Sequence, residues 1–210
     1  MAGMSKKENE KRDSPHDNDN HYVAMCQRGD TNAFRLLVDR HQKKMLNIAY
    51  RITGDYEDAC ETVQEAFLSA YRSIKTFRGD ATFSTWLTGI TINHARNRRK
   101  KMRSHSYNEG VSIDDPIETE TGQTFFDHSS QEESIVEQIE RKEIHAKVHE
   151  CIGTLDDEFR EVLILRDIQE FSYDEIRDIL NIPEGTIKSR LFRAREAMKK
   201  CLKQVLGDLP

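Results

Sequence analysis

From residue 171 to residue 203 the chain reads FSYDEIRDILNIPEGTIKSRLFRAREAMKKCLK, two helical repeats broken by one proline. Ile176, Ile179 and Leu180 recur at helical spacing before the break; Ile187, Leu191, Ala194 and Met198 do so after it. Ser172 is placed to cap the first helix, because its hydroxyl can accept from the open N–H groups of the first turn. Pro183 has no N–H to donate, so the first helix must stop at Asn181–Pro183. A second helix can restart at Glu184, whose carboxylate suits the positive helix end. A short helix, a tight turn and a longer helix make a helix-turn-helix, whose second helix enters a DNA major groove. Residues 184–203 carry seven Lys or Arg against two Glu, a local balance of +5 in a chain of net charge −5. That bias favours DNA contact over a plain solvated face.

The remaining apolar residues also follow a helical period. Asp30 can cap a helix carrying Ala33, Phe34, Leu37, Val38, His41, Met45, Ile48, Ala49 and Ile52, with Gly54 as its left-handed stop. Asp55 opens a second, with Ala59, Val63, Ala66, Phe67, Ala70 and Ile74 on one face. After a break at Arg78–Asp80, a third runs from Phe83 to about Arg103. Phe83 and Trp86 beside Leu87 and Ile90 fit a core better than a base-stacking platform. Two further helices precede the helix-turn-helix, one marked by Ile135, Ile139, Ile144, Val148 and Ile152, the other by Leu155, Phe159, Val162, Leu163 and Leu165. No strand-like alternation of useful length occurs. The expected fold is all-α: two small helical domains joined by a flexible acidic linker.

The boundaries follow from composition. Residues 1–20 are polar and mixed in charge, and are expected to be a disordered extension. The first domain spans 21–103. Residues 104–135 hold acidic residues, Pro116 and no Lys or Arg after Arg103 until the next helix, as a linker would. The second domain spans 136–206. No apolar run is long enough for a membrane span or a secretory signal, so a cytoplasmic location is expected. Cys26, Cys60, Cys151 and Cys201 lack C-x-x-C pairing and are expected as small buried thiols in a reducing compartment. No phosphate loop, nucleophile elbow or metal signature is present, so neither an enzyme nor a cofactor is expected. Asp156 and Asp157 sit where a helix cap belongs.

Three motifs in combination, D-A-x-x-x-V-Q-E-x-F, F-x-G-x-A-x-F-x-T-W-L and G-T-I-K-S-R-L-F-R-A-R, resemble the bacterial RNA polymerase sigma factors of the extracytoplasmic-function group. The resemblance covers residues 21–206. It implies a transcription initiation subunit whose first domain is sigma region 2 and whose second is region 4. Its partners would be core RNA polymerase, promoter DNA and a cognate anti-sigma factor. By resemblance, Asp58, Glu61, Gln64 and Glu65 grip the polymerase clamp helices, although a solvated acidic flank would look the same. Lys75, Arg78, Gly79, Asp80 and Thr82 would receive an unstacked base of the minus-ten element, unless this is an ordinary turn. Asn93, Asn97, Arg98 and Arg99 would meet the melted strand. They belong to a run with Arg96, Lys100, Lys101 and Arg103 that holds no carboxylate. Gly185, Thr186, Lys188, Ser189, Arg190, Phe192, Arg193 and Arg195 would contact the minus-thirty-five element. The linker would thread toward the RNA exit path. A conventional dimeric helix-turn-helix regulator explains residues 171–203 equally well, but explains the acidic helix and the basic 96–103 run poorly.

Overall fold

The computed structural model describes residues 15–109 and 135–207, and among these every regular element is helical. In chain order they are α1 (Pro15–Gln27), α2 (Thr31–Thr53), α3 (Tyr56–Ser73), a 3₁₀ turn (Ile74–Thr76), α4 (Phe83–Glu109), α5 (Ile135–Thr154), α6 (Asp157–Leu163), α7 (Tyr173–Leu180) and α8 (Glu184–Leu206). The all-α expectation is met. The linker lies mostly outside the described residues, and its first six residues, 104–109, continue α4.

Local chemistry fixes most boundaries. The Asp30 carboxylate accepts from the Asn32 and Ala33 N–H groups, and Asp55 accepts from Asp58 N–H, so both acids hold open helix starts. Gly54 ends α2 at φ 87°, where a side chain would be strained. Ser172 and Glu175 form a reciprocal capping box at α7. Asn181 then turns left-handed at φ 54° and donates its N–H to the Arg177 carbonyl at 2.7 Å, so α8 restarts after Pro183. The position of Asp156 as the residue before α6 is as expected, but its side chain makes no capping bond, and Asp157 is committed to arginines instead.

α1 starts six residues before the expected domain edge. Asp19, inside the stretch read as extension, is buried and sits 2.9 Å from His41 Nε2 and 2.7 Å from Arg40 Nη1. Two partners on α2 therefore order this polar turn, which composition alone could not show. Residues 1–14 lie outside the described residues.

Helices α2, α3 and α4 pack pairwise around Leu37, Met45, Ile48, Ala66, Phe83 and Leu87, with α1 laid across α2. Each buried Leu, Ile, Met or Phe side chain contributes roughly 1.5–3 kcal/mol by leaving water. Phe83 is core as expected, with Trp86 half-buried against it and Phe77. The second group packs α5, α6 and α7 onto α8 through Ile152, Leu165, Ile176, Ile187 and Leu191. α6 does not end in a simple stop. Residues Ile164–Ile168 widen into a π turn, with Gln169 N–H on the Ile164 carbonyl at 2.9 Å, and this swings the chain into α7. In α5 the anticipated stripe is only partly used, because Ile139 and Ile144 are exposed.

Two features were not anticipated. Cys151 and Cys201 form a disulfide joining α5 to α8, with Cα atoms 5.8 Å apart, which corrects the expectation of free thiols at these positions. Fifty residues separate the two, so only the packing of α5 on α8 brings them within bonding distance. Cys26 and Cys60 are free, Cys26 buried. Second, Arg160 is 1% exposed. Its guanidinium donates to the carbonyls of Ile152, Gly153 and Leu155 at 2.9, 2.5 and 2.5 Å and to Asp157 at 3.1 Å. One buried cation thus satisfies the open carbonyl end of α5, where the helix dipole also favours positive charge.

Candidate nucleic-acid interface

The helix-turn-helix has one buried and one open face. Ile187, Leu191, Ala194 and Met198 anchor α8, while Lys188, Ser189, Phe192, Arg193, Arg195, Lys199 and Lys200 lie outward. Phe192 is 68% exposed, far more than packing explains. Gly185 is exposed and Thr186 half-buried in the first turn of α8. Several cations are held by neighbours. Lys188 pairs with Glu184 at 2.6 Å, which raises its pKa, and Arg190 reaches Glu158 at 2.5 Å. Arg195 makes a two-point bond to Asp167 at 2.9 and 2.6 Å, which raises its pKa as well. Ser189 Oγ donates back to the Thr186 carbonyl at 3.0 Å. Arg193 makes no ion pair among the described residues and stands on the open face.

The 76–83 segment is fixed from below. Gln27 of α1 donates to the Ile74 and Phe77 carbonyls at 3.1 and 2.9 Å. Gly79 turns at φ 79° with nothing within 4 Å of its Cβ position, and Lys75, Arg78 and Asp80 are exposed around it. Thr82 is different: its hydroxyl accepts from Thr85 N–H at 3.1 Å and pairs with Thr85 Oγ1 at 2.8 Å, so it caps α4. A cleft of about 330 Å³ lies between this loop and the start of α7.

The basic end of α4 is divided between two tasks. Lys100 and Lys101 are exposed, as are Asn93 and Asn97. Arg98, expected at the melted strand, instead bonds Asp58 at 2.5 Å and pairs with Glu61. Arg99 donates to the Ile52 carbonyl at 2.7 Å and lies 3.0 Å from Asp157; burial pushes its pKa down. Arg96 forks onto Glu161 at 2.6 and 2.5 Å, and Arg103 forks onto Asp157 at 2.9 and 3.1 Å. The Glu161 hydrogen bonds raise the Arg96 pKa. Glu161 itself is 3% exposed, so it is a buried carboxylate satisfied from the other helical group.

On α3, Glu61, Gln64, Glu65 and Leu68 share an exposed face, whereas Asp58 is buried in its bond to Arg98. A groove between α3 and α4 passes Leu68, Arg72 and Lys101, where His94 bridges Ser69 at 2.9 Å and Glu65 at 3.2 Å.

Sequence reasoning missed the contact between the two groups. Besides the arginine forks, Tyr50 stacks on His149 with ring centres 4.3 Å apart, Lys44 Nζ lies 3.9 Å above the Phe171 ring, and Gln169 donates to Asn47 at 3.0 Å. The carboxylate of Glu161, immediately before the apolar run Val162–Leu165, was the available signal, since a buried carboxylate requires a partner.

Residues 37–105 match the Sigma-70 region 2 family and residues 145–198 the Sigma-70, region 4 family. The chain is 38% identical to the RNA polymerase sigma-H factor of Pseudomonas aeruginosa over 90% of its length and 96% of that protein's. It is 36% identical to the ECF RNA polymerase sigma-E factor of Escherichia coli K12 over 84% of its own length and 90% of that protein's. Its fold is similar to CnrH, solved in complex with the cytosolic domain of CnrY, at TM-score 0.64 and 22% identity, covering 90% of this chain and 99% of that one. It is also similar to the sigma factor RpoE of Bartonella quintana, solved with the anti-sigma factor NepR, at TM-score 0.61 and 24% identity, covering 81% and 96%. The two grouped helical units, the helix-turn-helix at the end and these likenesses over most of both chains agree: the chain belongs to the ECF group of RNA polymerase sigma factors.

Proposed function

We propose that this chain binds core RNA polymerase and directs it to promoters, reading a duplex element with α8 and holding an opened element with the α3–α4 unit. The observation that carries the reading is the open face of α8, where Lys188, Phe192, Arg193 and Lys199 project from a helix anchored by Ile187, Leu191 and Ala194. An arginine at this place can fork onto guanine N7 and O6, whereas Lys199 and Lys200 suit phosphates. Glu61, Gln64 and Glu65 form the polymerase-facing surface, and complementary charge there speeds encounter and sets register. Lys75, Arg78, Gly79 and Asp80 offer donors and acceptors to a displaced base, whose Watson–Crick edge is free only after melting. Asn93, Asn97, Lys100 and Lys101 would follow the strand. Asp58, Thr82, Arg98 and Arg99 serve these surfaces by bracing them.

The nucleotide chemistry belongs to polymerase, and the chain contributes binding energy to promoter opening rather than a catalytic group. It acts in the cytoplasm; no described helix is long and apolar enough to cross a membrane. Control by an anti-sigma factor is supported by the likeness to a sigma factor solved with one. Reconstituted transcription with core polymerase on a randomised promoter library tests the reading. Enrichment of templates sharing two spaced elements is expected. Transcription indistinguishable from core polymerase alone would overturn it.

A further inference from the structure

We infer that Glu65, His94 and Ser69 form a hydrogen-bond relay that raises the affinity of region 2 for an opened strand when polymerase takes hold of Glu65. This rests on the function proposed above, which puts Glu65 on the polymerase-facing surface. The relay lies in the groove of about 650 Å³ between α3 and α4. His94, Asn97, Lys101 and Ser104 follow one another at spacings of three and four, so they share the α4 wall of that groove. Arg96 and Arg103 occupy another face of the helix, held by Glu161 and Asp157, which leaves the groove open. Its charge selects the ligand. Arg72, Lys100 and Lys101 stand exposed along it and make no ion pair among the described residues. Glu65 is the one carboxylate on the described lining, and it is engaged by His94. Phosphates of a single strand suit such a groove, with a sugar face against the half-exposed Leu68.

The atoms of the relay are in line. His94 Nδ1 lies 3.2 Å from Glu65 Oε2, and Nε2 lies 2.9 Å from Ser69 Oγ. A carboxylate only accepts, so Glu65 fixes the proton of the neutral ring on Nδ1. Nε2 is then bare and accepts from the Ser69 hydroxyl. The hydroxyl hydrogen is spent on the ring, and Ser69 turns only lone pairs toward the groove, where they repel a phosphate oxygen. A polymerase cation that pairs with Glu65 takes the acceptor away from Nδ1. That nitrogen gives its proton to water and Nε2 takes one from water, so the ring stays neutral. Nε2–H then donates to Ser69 Oγ, and the Ser69 O–H swings to donate to a phosphate. Each bond of this chain polarises the next. The coupling is reciprocal, because a bound strand favours the state in which Glu65 is free for polymerase. His94 is thus a positioning residue, acting on the strand through Ser69.

Comparison of E65A with E65Q in the full chain tests this. E65A removes charge and acceptor together, whereas E65Q removes the charge but keeps an amide oxygen for Nδ1–H. A gain common to both measures charge; the difference between them measures the relay. The probe is a fluorescein-labelled mixed-sequence 25-nucleotide single strand read by anisotropy, and far-UV circular dichroism checks the fold. E65A is expected to bind about tenfold tighter than E65Q, the effect of one hydrogen bond to a charged oxygen. That difference should vanish when S69A or H94A is added to both, since either breaks the chain. Alanine favours a helix, and Ser69 and His94 are only half-buried, so both backgrounds should fold. Equal affinities of E65A and E65Q, or a difference that survives S69A or H94A, overturn the inference. Should S69A lose helix, the H94A background alone decides. Wild-type transcription with core polymerase is run in parallel. Its failure would overturn the function and not the relay, which the binding comparison reads without polymerase.

Discussion

Replacing Arg160 by methionine removes a guanidinium but keeps much of the chain's bulk, so the packing loss is small and the polar loss dominates. Four hydrogen bonds vanish, and two of the abandoned acceptors, the carbonyls of Ile152 and Leu155, are buried. An unsatisfied buried acceptor costs about 1–3 kcal/mol. Removing one partner from a buried charged network typically costs about 3–5 kcal/mol. Water can reach the exposed Gly153 more readily, and the unpaired Asp157 retains Arg99 and Arg103. The expected loss is therefore about 4 kcal/mol, a large share of the roughly 5–15 kcal/mol that holds a domain folded. It should fall on α5–α8. Urea unfolding followed by circular dichroism should show an early transition, while emission from the sole tryptophan, Trp86 on α4, changes later. R160K, which keeps the charge but not the fork, should recover only part of the loss. A loss under about 1 kcal/mol in R160M, with an unchanged denaturant slope, would refute the assignment of Arg160 as the cap of α5.

Four further outcomes are expected. R193A should shift preference among minus-thirty-five sequences by about 1–3 kcal/mol, whereas K199A should weaken all of them alike; equal losses on matched and scrambled sites would remove Arg193 from base reading. E61K/E65K should weaken capture of core polymerase in a pull-down while leaving helix content unchanged, and undiminished capture would exclude that face. Burial is the main cause that holds the His41 and His149 pKa values below 6.5, so the unfolded chain binds more protons as pH falls through and beneath that value. Stability should be full above about pH 6.5 and decline on acidification, less so in H149Q; a midpoint independent of pH between 7 and 5 would contradict this. Reducing the Cys151–Cys201 bond, which closes a 50-residue separation, should cost up to about 4 kcal/mol of unfolding free energy, seen as a lower urea midpoint that C151S/C201S reproduces without reductant.

The helix starts at Asp30, Asp55 and Ser172, the stops at Gly54 and Asn181, and the buried stripe of α8 were legible because each depends on neighbours a few residues away. The long-range choices were not. Arg98 and Arg99 sit in a run of cations that reads as one strand-binding patch, yet their geometry gives them to Asp58 and Asp157, 40 and 58 residues distant. A charge run reports that cations are present; it does not say which acid reaches them first. Thr82 looked like a hydrogen-bonding group for a base, but its place one residue before Phe83 makes it the cap of α4. The Cys151–Cys201 pair and the Asp19–His41 contact were hidden for the same reason, since each partner is unremarkable until packing joins them.

Permanganate footprinting of thymines on a promoter taken from the transcription library is the most direct test of a chain that melts DNA only as part of a larger enzyme. Reactive thymines should appear at the upstream edge of the start site when the chain and core polymerase are both present, and with neither alone. Strand opening by the chain without polymerase, or unreactive thymines when the two are combined, would contradict the division of labour between α8 and the α3–α4 unit.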